Sequence, residues 1–199
     1  MKIAGDAAAW AKVPINRRRS HNAPDGTIDA ALLEALRLAG VNGRDIAVYE
    51  GQGVYYESLC LWAGARPTTI RERRVDNRST RVTAMTTNEW EQSRTQFPFA
   101  IAMQVAQLGL GAFGETVDPD ADLAAMRRLK TIVKPGGRLF LMVPLGADRL
   151  HWNVSRVYGP LRWPLLSEGW ALVRPATITR DQLTTGGPDR MLLVLENLS

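Results

Sequence analysis

The sequence predicts an α/β fold, built on a doubly wound, mostly parallel sheet with an antiparallel C-terminal edge. Short apolar runs of strand length alternate along the chain with segments whose apolar residues recur at helical spacing. Turns marked by Gly or Pro separate these segments. The last two strand-like runs are joined by a polar, Gly-rich loop, which favours an antiparallel pair at one edge of the sheet.

The chain begins with a predicted N-terminal arm over residues 1–26, followed by a single predicted domain over 27–199. Polar sequence containing Pro and Gly argues against regular structure in the second half of the arm. Asp25 or Thr27 has a side chain suited to cap a helix, and the apolar spacing predicts that helix over 28–38. A length of 199 residues is enough for one well-buried domain and short for two.

The remaining elements follow in alternation along the chain. Strands are predicted near 46–49, 67–71, 81–85, 98–103 and 138–143, with the terminal pair near 169–174 and 191–196. Helices are predicted over 55–63, 89–93 and 121–133.

The clearest single unit is a helix, a Lys-Pro-Gly-Gly turn and a buried strand, between Asp118 and Pro144. The helix presents apolar side chains on one stripe, formed by Leu123, Met126, Leu129, Ile132 and Val133. Pro135 prevents the helix from continuing, and the two glycines after it allow the chain to reverse. The apolar run from Leu139 to Val143 is typical of a strand that is covered on both faces.

The ligand-binding end of such a sheet lies where the chain leaves the strands. Gly51 and Gly53 occupy the turn after the first strand, where glycine lets the backbone approach a ligand and the next helix offers free N–H groups. Glu72 follows the second strand, and an acidic residue there is suited to accept hydrogen bonds from both hydroxyls of a ribose. The sequence therefore predicts a site for a ribose-containing ligand.

Composition argues against several classes of protein. No apolar run reaches about eighteen residues, so no membrane span is predicted. The single cysteine, Cys60, excludes an internal disulfide and fits a cytoplasmic protein, and its apolar helical surroundings predict a core thiol. Two histidines argue against a His-based zinc site, and no metal is expected. The net charge of +5 comes from short arginine clusters in different elements, which favours a solvated surface over a nucleic-acid partner.

A string of motifs runs from Asp45 to Trp170, about two-thirds of the chain. It consists of Gly51-x-Gly53 with Tyr55-Tyr56-Glu57 and Gly64-Ala65, Gly109-Leu-Gly with Phe113-Gly114, Asp118-Pro-Asp-Ala-Asp-Leu, Met126-Arg127-x-Leu129-Lys130, Lys134-Pro-Gly-Gly, Val143-Pro, and Asn153-x-x-Arg156-x-Tyr158-Gly. Together these motifs resemble a poorly characterised, methyltransferase-like family found in bacteria and some animals, a branch of the class I S-adenosylmethionine-dependent methyltransferases. The resemblance implies a Rossmann-like methyltransferase fold.

The resemblance also implies S-adenosylmethionine as the cofactor. The residues that match the cofactor site of the wider class are Glu50, Gly51, Gly53 and Glu72, with Met103 and Gln104 at the exit of the fourth strand. The chain departs from the usual pattern at four points. Tyr49 stands two positions before the first glycine, where an acid is customary and Glu50 comes one position late, and Gln107-Leu108 stands where related sequences tend to carry Glu-His. The customary third glycine of the first turn is absent, and Arg71 stands where the ribose-binding acid is expected.

Three catalytic candidates follow the fifth strand, on the ligand side of the predicted sheet. His151 is the one group there that titrates near neutral pH, and so it is a candidate general base. Tyr158 is the second candidate near the reacting atom, and Arg156 would orient a polar or anionic substrate through its planar guanidinium. The alternative is that His151 lies on the surface, Arg156 pairs with a nearby acid and Tyr158 merely packs.

Three aspartates alternate at the entry of the helix over 121–133, namely Asp118, Asp120 and Asp122. Such carboxylates can bind Mg²⁺ or Ca²⁺, but the calcium-loop pattern lacks its glycine and its distal Glu. Capping of the helix by Asp120 or Asp122 is the preferred interpretation. Three tryptophans are predicted to pack under a long loop, namely Trp152, Trp163 and Trp170.

The sequence thus predicts an S-adenosylmethionine-dependent methyltransferase that acts on a small polar, anionic or sugar-linked metabolite, with no membrane or nucleic-acid partner. Methyl transfer gains most from positioning and needs few catalytic side chains. The alternative is a non-catalytic or repurposed protein of the same fold, which has lost normal cofactor binding and serves as a binding partner or acts on another nucleotide-type ligand. Acidic contacts to ribose favour the first, whereas Arg71 directed into the site favours the second.

Overall fold

The computed structural model describes residues 26–51, 54–72, 79–112, 114–175, 177–185 and 189–199. The chain divides into two compact units, Met1–Ile101 and Ala102–Ser199. No helix within the described ranges combines the length and apolar character needed to cross a membrane. The predicted arm lies outside these ranges except for its last residue, Gly26, which begins the first helix.

The first unit alternates helices and strands. Its elements are α1 (Gly26–Leu38), β1 (Asp45–Tyr49), α2 (Tyr55–Trp62), β2 (Arg66–Arg71), β3 (Thr83–Thr86), α3 (Thr87–Ser93) and β4 (Phe97–Ala102). Strand β1 pairs in parallel with β2 and β4, and β2 pairs in parallel with β3. The residues from Ile46 to Tyr49 of β1 are all buried, as expected for a parallel strand covered on both faces.

The second unit holds the antiparallel part of the structure. Its elements are a 3₁₀ turn (Val105–Gln107), α4 (Ala121–Ile132), β5 (Val133–Leu145), β6 (Arg149–His151), β7 (Ser155–Val157), α5 (Trp163–Leu166), β8 (Trp170–Arg174), α6 (Arg180–Thr184) and β9 (Asp189–Asn197). Strand β9 pairs in antiparallel fashion with both β5 and β8. Strands β6 and β7 form a separate antiparallel hairpin.

The strand order is β3-β2-β1-β4 in the first unit and β5-β9-β8 in the second. The pairs β1–β2, β2–β3 and β1–β4 are parallel, whereas both pairs of β9 are antiparallel. The predicted α/β fold, with a mostly parallel sheet and an antiparallel C-terminal edge, is therefore confirmed.

The junction between α4 and β5 differs from the predicted one. Helix α4 ends at Ile132, so Val133 begins β5 and does not belong to the helical stripe. Strand β5 includes the Lys-Pro-Gly-Gly segment and continues to Leu145, although its pairing with β9 begins at Arg138. Leu123 is only half-buried; the buried residues of α4 are Asp122, Ala125, Met126, Leu129 and Ile132. A carboxylate therefore occupies a core position of this helix.

The segment after β5 contains short elements that the sequence pattern did not reveal. Strands β6 and β7 and helices α5 and α6 have three to five residues each, too few for hydrophobic periodicity to indicate them. Trp152, at the turn of the β6–β7 hairpin, is 64% exposed, so the prediction that it packs under a loop was wrong. Trp170 is buried, and Cys60 is a buried free thiol, as predicted.

Candidate functional site

The turn after β1 lies at the carboxyl ends of β1 and β2. Glu50 takes a left-handed backbone conformation with a φ of 48°. Its Oε1 accepts a hydrogen bond of 2.9 Å from the backbone N–H of Glu72. Gly51 is buried, and a Cβ at this position would lie 3.0 Å from Cγ1 of Val48. The structure therefore brings Glu50, Gly51 and Glu72 together, while Gly53 lies outside the described residues.

The arginine that replaces the customary acid, Arg71, forms an ion pair with a buried glutamate of α2. Its Nη2 lies 3.1 Å from Oε1 of Glu57, whose side chain is only 1% exposed. The same carboxylate oxygen accepts a hydrogen bond of 2.7 Å from the Thr69 hydroxyl. The charge of Arg71 is therefore balanced from within the first unit.

Glu57 remains incompletely satisfied despite these two donors. Its second oxygen, Oε2, is buried and has no hydrogen-bond partner in the described part of the chain. Burial raises the pKa of Glu57 above its ordinary value, although the Thr69 hydroxyl and the Arg71 charge act in the opposite direction. By contrast, the side chain of Glu72 is exposed and accepts no hydrogen bond from any described residue. Glu72 is thus the carboxylate of this turn that is open to a ligand.

The other two predicted cofactor residues belong to the second unit. Met103 is buried, and Gln104 is half-buried at the start of the 3₁₀ turn. The backbone carbonyl of Gln104 accepts a hydrogen bond of 2.9 Å from the N–H of Gln107 within the 3₁₀ turn. Their contact with a cofactor stays a prediction.

A buried charge cluster organises the second unit around Asp122, which has no exposed surface. Arg162 binds both of its oxygens, through Nε at 2.9 Å from Oδ2 and Nη2 at 2.5 Å from Oδ1. The Tyr158 hydroxyl donates to Oδ2 at 3.0 Å, and Arg156 Nε lies 3.7 Å from the same oxygen. Burial, followed by the Asp122 charge, raises the pKa of Tyr158 well above its ordinary value. The hydroxyl therefore stays protonated and serves as a hydrogen-bond donor.

Arg156 is fully engaged by the loop that precedes α4. Its Nη1 donates to the carbonyl of Leu108 at 2.6 Å, and its Nη2 donates to the carbonyls of Asp118 and Pro119 at 3.1 and 3.0 Å. Gly109 in this loop has a φ of +69°, and a Cβ there would lie 2.3 Å from the carbonyl oxygen of Asp118, so only glycine fits. The ion pair of Arg156 with Asp122 fits the alternative interpretation, in which Arg156 is the partner of a nearby acid.

The expectation that the side chain of Asp120 or Asp122 caps α4 was wrong, although Asp120 occupies the N-cap position and Asp122 lies in the first turn, as helix-dipole complementarity predicts. Asp120 stands at the start of α4 without a capping hydrogen bond from its side chain, and Asp122 bonds to Arg162 and Tyr158. Arg162, from the segment after β5, binds the carboxylates of Asp120 and Asp122. Rules for helix capping consider neighbours in the sequence only, so they do not predict such a distant partner. Among the described residues, no three His, Cys, Asp or Glu side chains form a group that could hold a metal ion.

His151 stands apart from this cluster. It lies in β6 opposite Ser155 of β7, and its Nε2 is buried without a hydrogen-bond partner among the described residues. Of the three catalytic candidates, His151 alone therefore keeps a ring nitrogen that no described residue engages. Whether it acts as a general base stays a prediction.

Sequence reasoning missed the roles of Glu57, Asp122 and Arg162. Glu57 and Asp122 lay within the motifs that carried the family resemblance, and the apolar neighbours of Asp122 at helical spacing were a signal that its position is buried. No local pattern marks Arg162, because its partner lies 40 residues away.

Solved methyltransferase structures share this fold along most of the chain. The N-methyltransferase NodS from Bradyrhizobium japonicum WM9, in complex with S-adenosyl-l-homocysteine, matches with a TM-score of 0.59 and 16% identity, covering 97% of each chain. The 1,6-didemethyltoxoflavin-N1-methyltransferase from Burkholderia thailandensis, with bound 1,6-didemethyltoxoflavin and S-adenosylhomocysteine, matches with a TM-score of 0.57 and 17% identity, covering 96% of this chain and 81% of that one. The chain therefore has the fold of the class I methyltransferases.

The family itself is set by a match over residues 60–185, more than half of the chain. This chain belongs to the family described as Caenorhabditis protein of unknown function, DUF268. A comparison with curated proteins found no match. The Asp122 cluster lies within the matched residues, whereas the turn at Glu50 and Gly51 precedes them.

Proposed function

We propose that this chain is an S-adenosylmethionine-dependent methyltransferase that acts on a small molecule. The observation that carries the proposal is the linked pair of strand ends, where Glu50 holds the backbone of Glu72 and leaves the Glu72 carboxylate exposed. In methyltransferases that this chain resembles, an acid at this place binds the ribose of the cofactor. The neighbours of the same fold that hold S-adenosylhomocysteine support this assignment.

The donor set at the turn suits the ribose end of the cofactor. An exposed carboxylate is an acceptor for two hydroxyl groups, and no described residue donates a hydrogen bond to either oxygen of Glu72. Glu50 holds the backbone of Glu72, so positioning of Glu72 is part of its role. The buried glycine at position 51 keeps side-chain bulk out of the turn. Bound here, S-adenosylmethionine would supply an activated methyl group, while these residues hold its ribose.

The pairing of Arg71 favours this proposal over the repurposed fold. A cation free to bind an anionic ligand would suit a different nucleotide, but the guanidinium of Arg71 is balanced by the buried carboxylate of Glu57. The customary acid is thus displaced by one residue, from position 71 to Glu72, and the local charge at the turn remains acidic.

The proposal also concerns the methyl acceptor and the residues that would act on it. We expect His151 to be the general base, since its Nε2 is not engaged by any described residue. Arg156 and Tyr158 are better suited to positioning, because Leu108, Asp118, Pro119 and Asp122 already bind their polar groups. A small metabolite with a polar, sugar-linked or anionic part stays the proposed acceptor class.

The test is calorimetric titration of the protein with S-adenosylmethionine and S-adenosylhomocysteine, with NAD and GDP as competing ligand classes. The Glu72→Gln variant should bind either adenosyl compound about tenfold or more weakly, since hydrogen bonds to a charged group contribute roughly 1.5–3 kcal/mol. The matched control is Glu34→Gln, which removes an exposed carboxylate of α1 from the same unit and should bind normally.

A thermal-shift series checks the same point independently. At one hundred times its dissociation constant, a ligand adds about 2.7 kcal/mol to the free energy of unfolding. That corresponds to a rise of roughly 5–10 °C in melting temperature for a chain of this size. Wild-type protein that binds neither adenosyl compound by either method contradicts the proposal, and selective binding of NAD or GDP would favour the repurposed fold.

A further inference from the structure

A concave pocket of about 390 Å³ opens within the second unit, beside the β6–β7 hairpin. Its walls are mainly apolar, contributed by Leu110, Val117, Leu150, Trp152, Val157 and Leu161. Trp152 is 64% exposed and Leu161 is 77% exposed, so large apolar side chains face solvent at its mouth. The volume falls within the range of about 300–1,000 Å³ that small-molecule sites occupy.

The charged side chains that line this pocket are already bound within the protein, with one exception among the described residues. The Asp148 carboxylate accepts backbone N–H groups from Gly159, Leu161 and Arg162, at 2.8–3.1 Å. The guanidinium groups of Arg156 and Arg162 are bound by carbonyls and by Asp122. These contacts hold the pocket walls in place, and they leave few groups able to bind the hydroxyls of a ligand.

The exception is Arg149 at the start of β6. Its side chain is exposed, lines the pocket and forms no hydrogen bond or ion pair with the residues that the structure describes. Cations next to an apolar wall attract anionic groups that stand at the end of an apolar body. The pocket therefore offers apolar walls and the positive charge of Arg149, which no described residue compensates.

We infer that this pocket binds a small molecule with an aromatic or aliphatic body and an anionic group, such as a carboxylate, sulfonate or phosphate. The body contacts Trp152, Leu161 and the other apolar walls, and the anionic group pairs with Arg149. A sugar ring suits the pocket less, because its many hydroxyls would lose water and find few partners on the mainly apolar walls. This inference concerns binding alone, and it holds whether or not the chain binds S-adenosylmethionine.

A second copy of the chain is the competing occupant of this apolar surface. Two features of this surface favour a small ligand over a second copy. The apolar residues line a concavity, whereas interfaces between copies need a broad contact of about 1,200 Å² or more. The Arg149 guanidinium, which no described residue compensates, lies among those walls, where a small anion can reach it.

The experiment compares two matched fluorescent probes, 8-anilinonaphthalene-1-sulfonate and its uncharged counterpart N-phenyl-1-naphthylamine. Wild-type protein should bind one molecule of each, with the sulfonate bound more tightly at low salt. The Arg149→Gln variant should bind the sulfonate about twofold to fivefold more weakly, the range of an exposed ion pair, and the neutral probe unchanged. The control Arg127→Gln removes an exposed arginine of α4 away from the pocket and should leave both affinities unchanged.

Two further variants locate the probes. Trp152→Ala and Leu161→Ser alter exposed side chains, so the fold should persist by circular dichroism, and both probes should bind at least threefold more weakly. Unchanged probe binding in these two variants would overturn the inference. So would a wild-type protein that binds neither probe and sediments as a dimer, with Trp152→Ala restoring the monomer, because the surface would then be an interface between copies.

Discussion

Two buried carboxylates, one in each unit, are compensated to different degrees. Glu57 receives one hydroxyl and one guanidinium nitrogen on a single oxygen, and its other oxygen is unpaired among the described residues. Asp122 receives Arg162 on both oxygens, with the Tyr158 hydroxyl and a nearby Arg156 in addition. Removing a charge from water is costly unless hydrogen bonds replace the lost solvent. The loss of one hydrogen-bond donor should therefore lower the free energy of unfolding less at Asp122 than at Glu57.

The largest expected effect comes from breaking the better-satisfied cluster. Asp122→Asn leaves Arg156 and Arg162 without their buried counter-charge and should lower the free energy of unfolding by about 3–5 kcal/mol. Urea denaturation followed by circular dichroism measures the loss. The matched control is Asp120→Asn, whose side chain is 66% exposed and also contacts Arg162. We expect that change to cost about 0–1 kcal/mol, and equal losses would show that the burial of Asp122 is irrelevant.

A somewhat smaller effect is expected when Glu57, in the first unit, loses one of its hydrogen-bond donors. Thr69→Val keeps the shape of the side chain but removes the hydroxyl that donates to Glu57. We expect a loss of about 2 kcal/mol in the free energy of unfolding, since a charged acceptor loses one of its two donors. The same urea titration measures it. No measurable loss would mean that Glu57 is satisfied by other means.

A smaller effect is expected for the equivalent change in the second unit. Tyr158→Phe removes the hydroxyl that donates to Asp122, but both contacts of Arg162 to that carboxylate remain. The expected loss is about 1 kcal/mol, below that of Thr69→Val. The comparison fails if the order of these two losses is reversed in parallel denaturation curves.

The smallest expected effect is a dependence of the free energy of unfolding on pH that comes from the titration of Glu57. Its pKa in the folded protein is raised from 4.5, so the folded state holds a proton that the unfolded state releases. The associated stability is fully present below about pH 4.5 and is lost as pH rises through the folded pKa. Wild-type protein should therefore lose stability relative to Glu57→Gln across that window. Parallel pH dependence in both proteins would contradict the raised pKa.

The fold was largely predictable from sequence because its signals are local. The strand β1 and the helix α2 begin and end within a residue of the predicted positions, since a buried apolar run and a Gly-marked turn define them. The hairpin β6–β7 was missed because three-residue strands carry no periodicity. The exposure of Trp152 was not predicted either, because the residues around a tryptophan in space decide whether it is buried, and the sequence does not show them.

The candidate site was predictable only where motif and strand order coincide. Glu50, Gly51 and Glu72 were predicted from their places after β1 and β2, and the structure brings them together, while their contact with a cofactor stays a prediction. Arg149 was overlooked, because an uncompensated charge is recognised only when the partners of its neighbours are known. The bonds of Arg156 to three carbonyls of a distant loop could not be read from the sequence, and its role toward a substrate stays a prediction.

The sequence by itself determined the order of helices and strands, the buried first strand and the glycine-marked turn, because these follow from short-range spacing and backbone sterics. The tertiary structure alone decided which charges are compensated. Asp122 lies 36 residues from Tyr158 and 40 from Arg162, and Glu57 lies 14 from Arg71. Such pairs form only when packing removes both groups from water, so their energy belongs to the folded arrangement and not to any local segment.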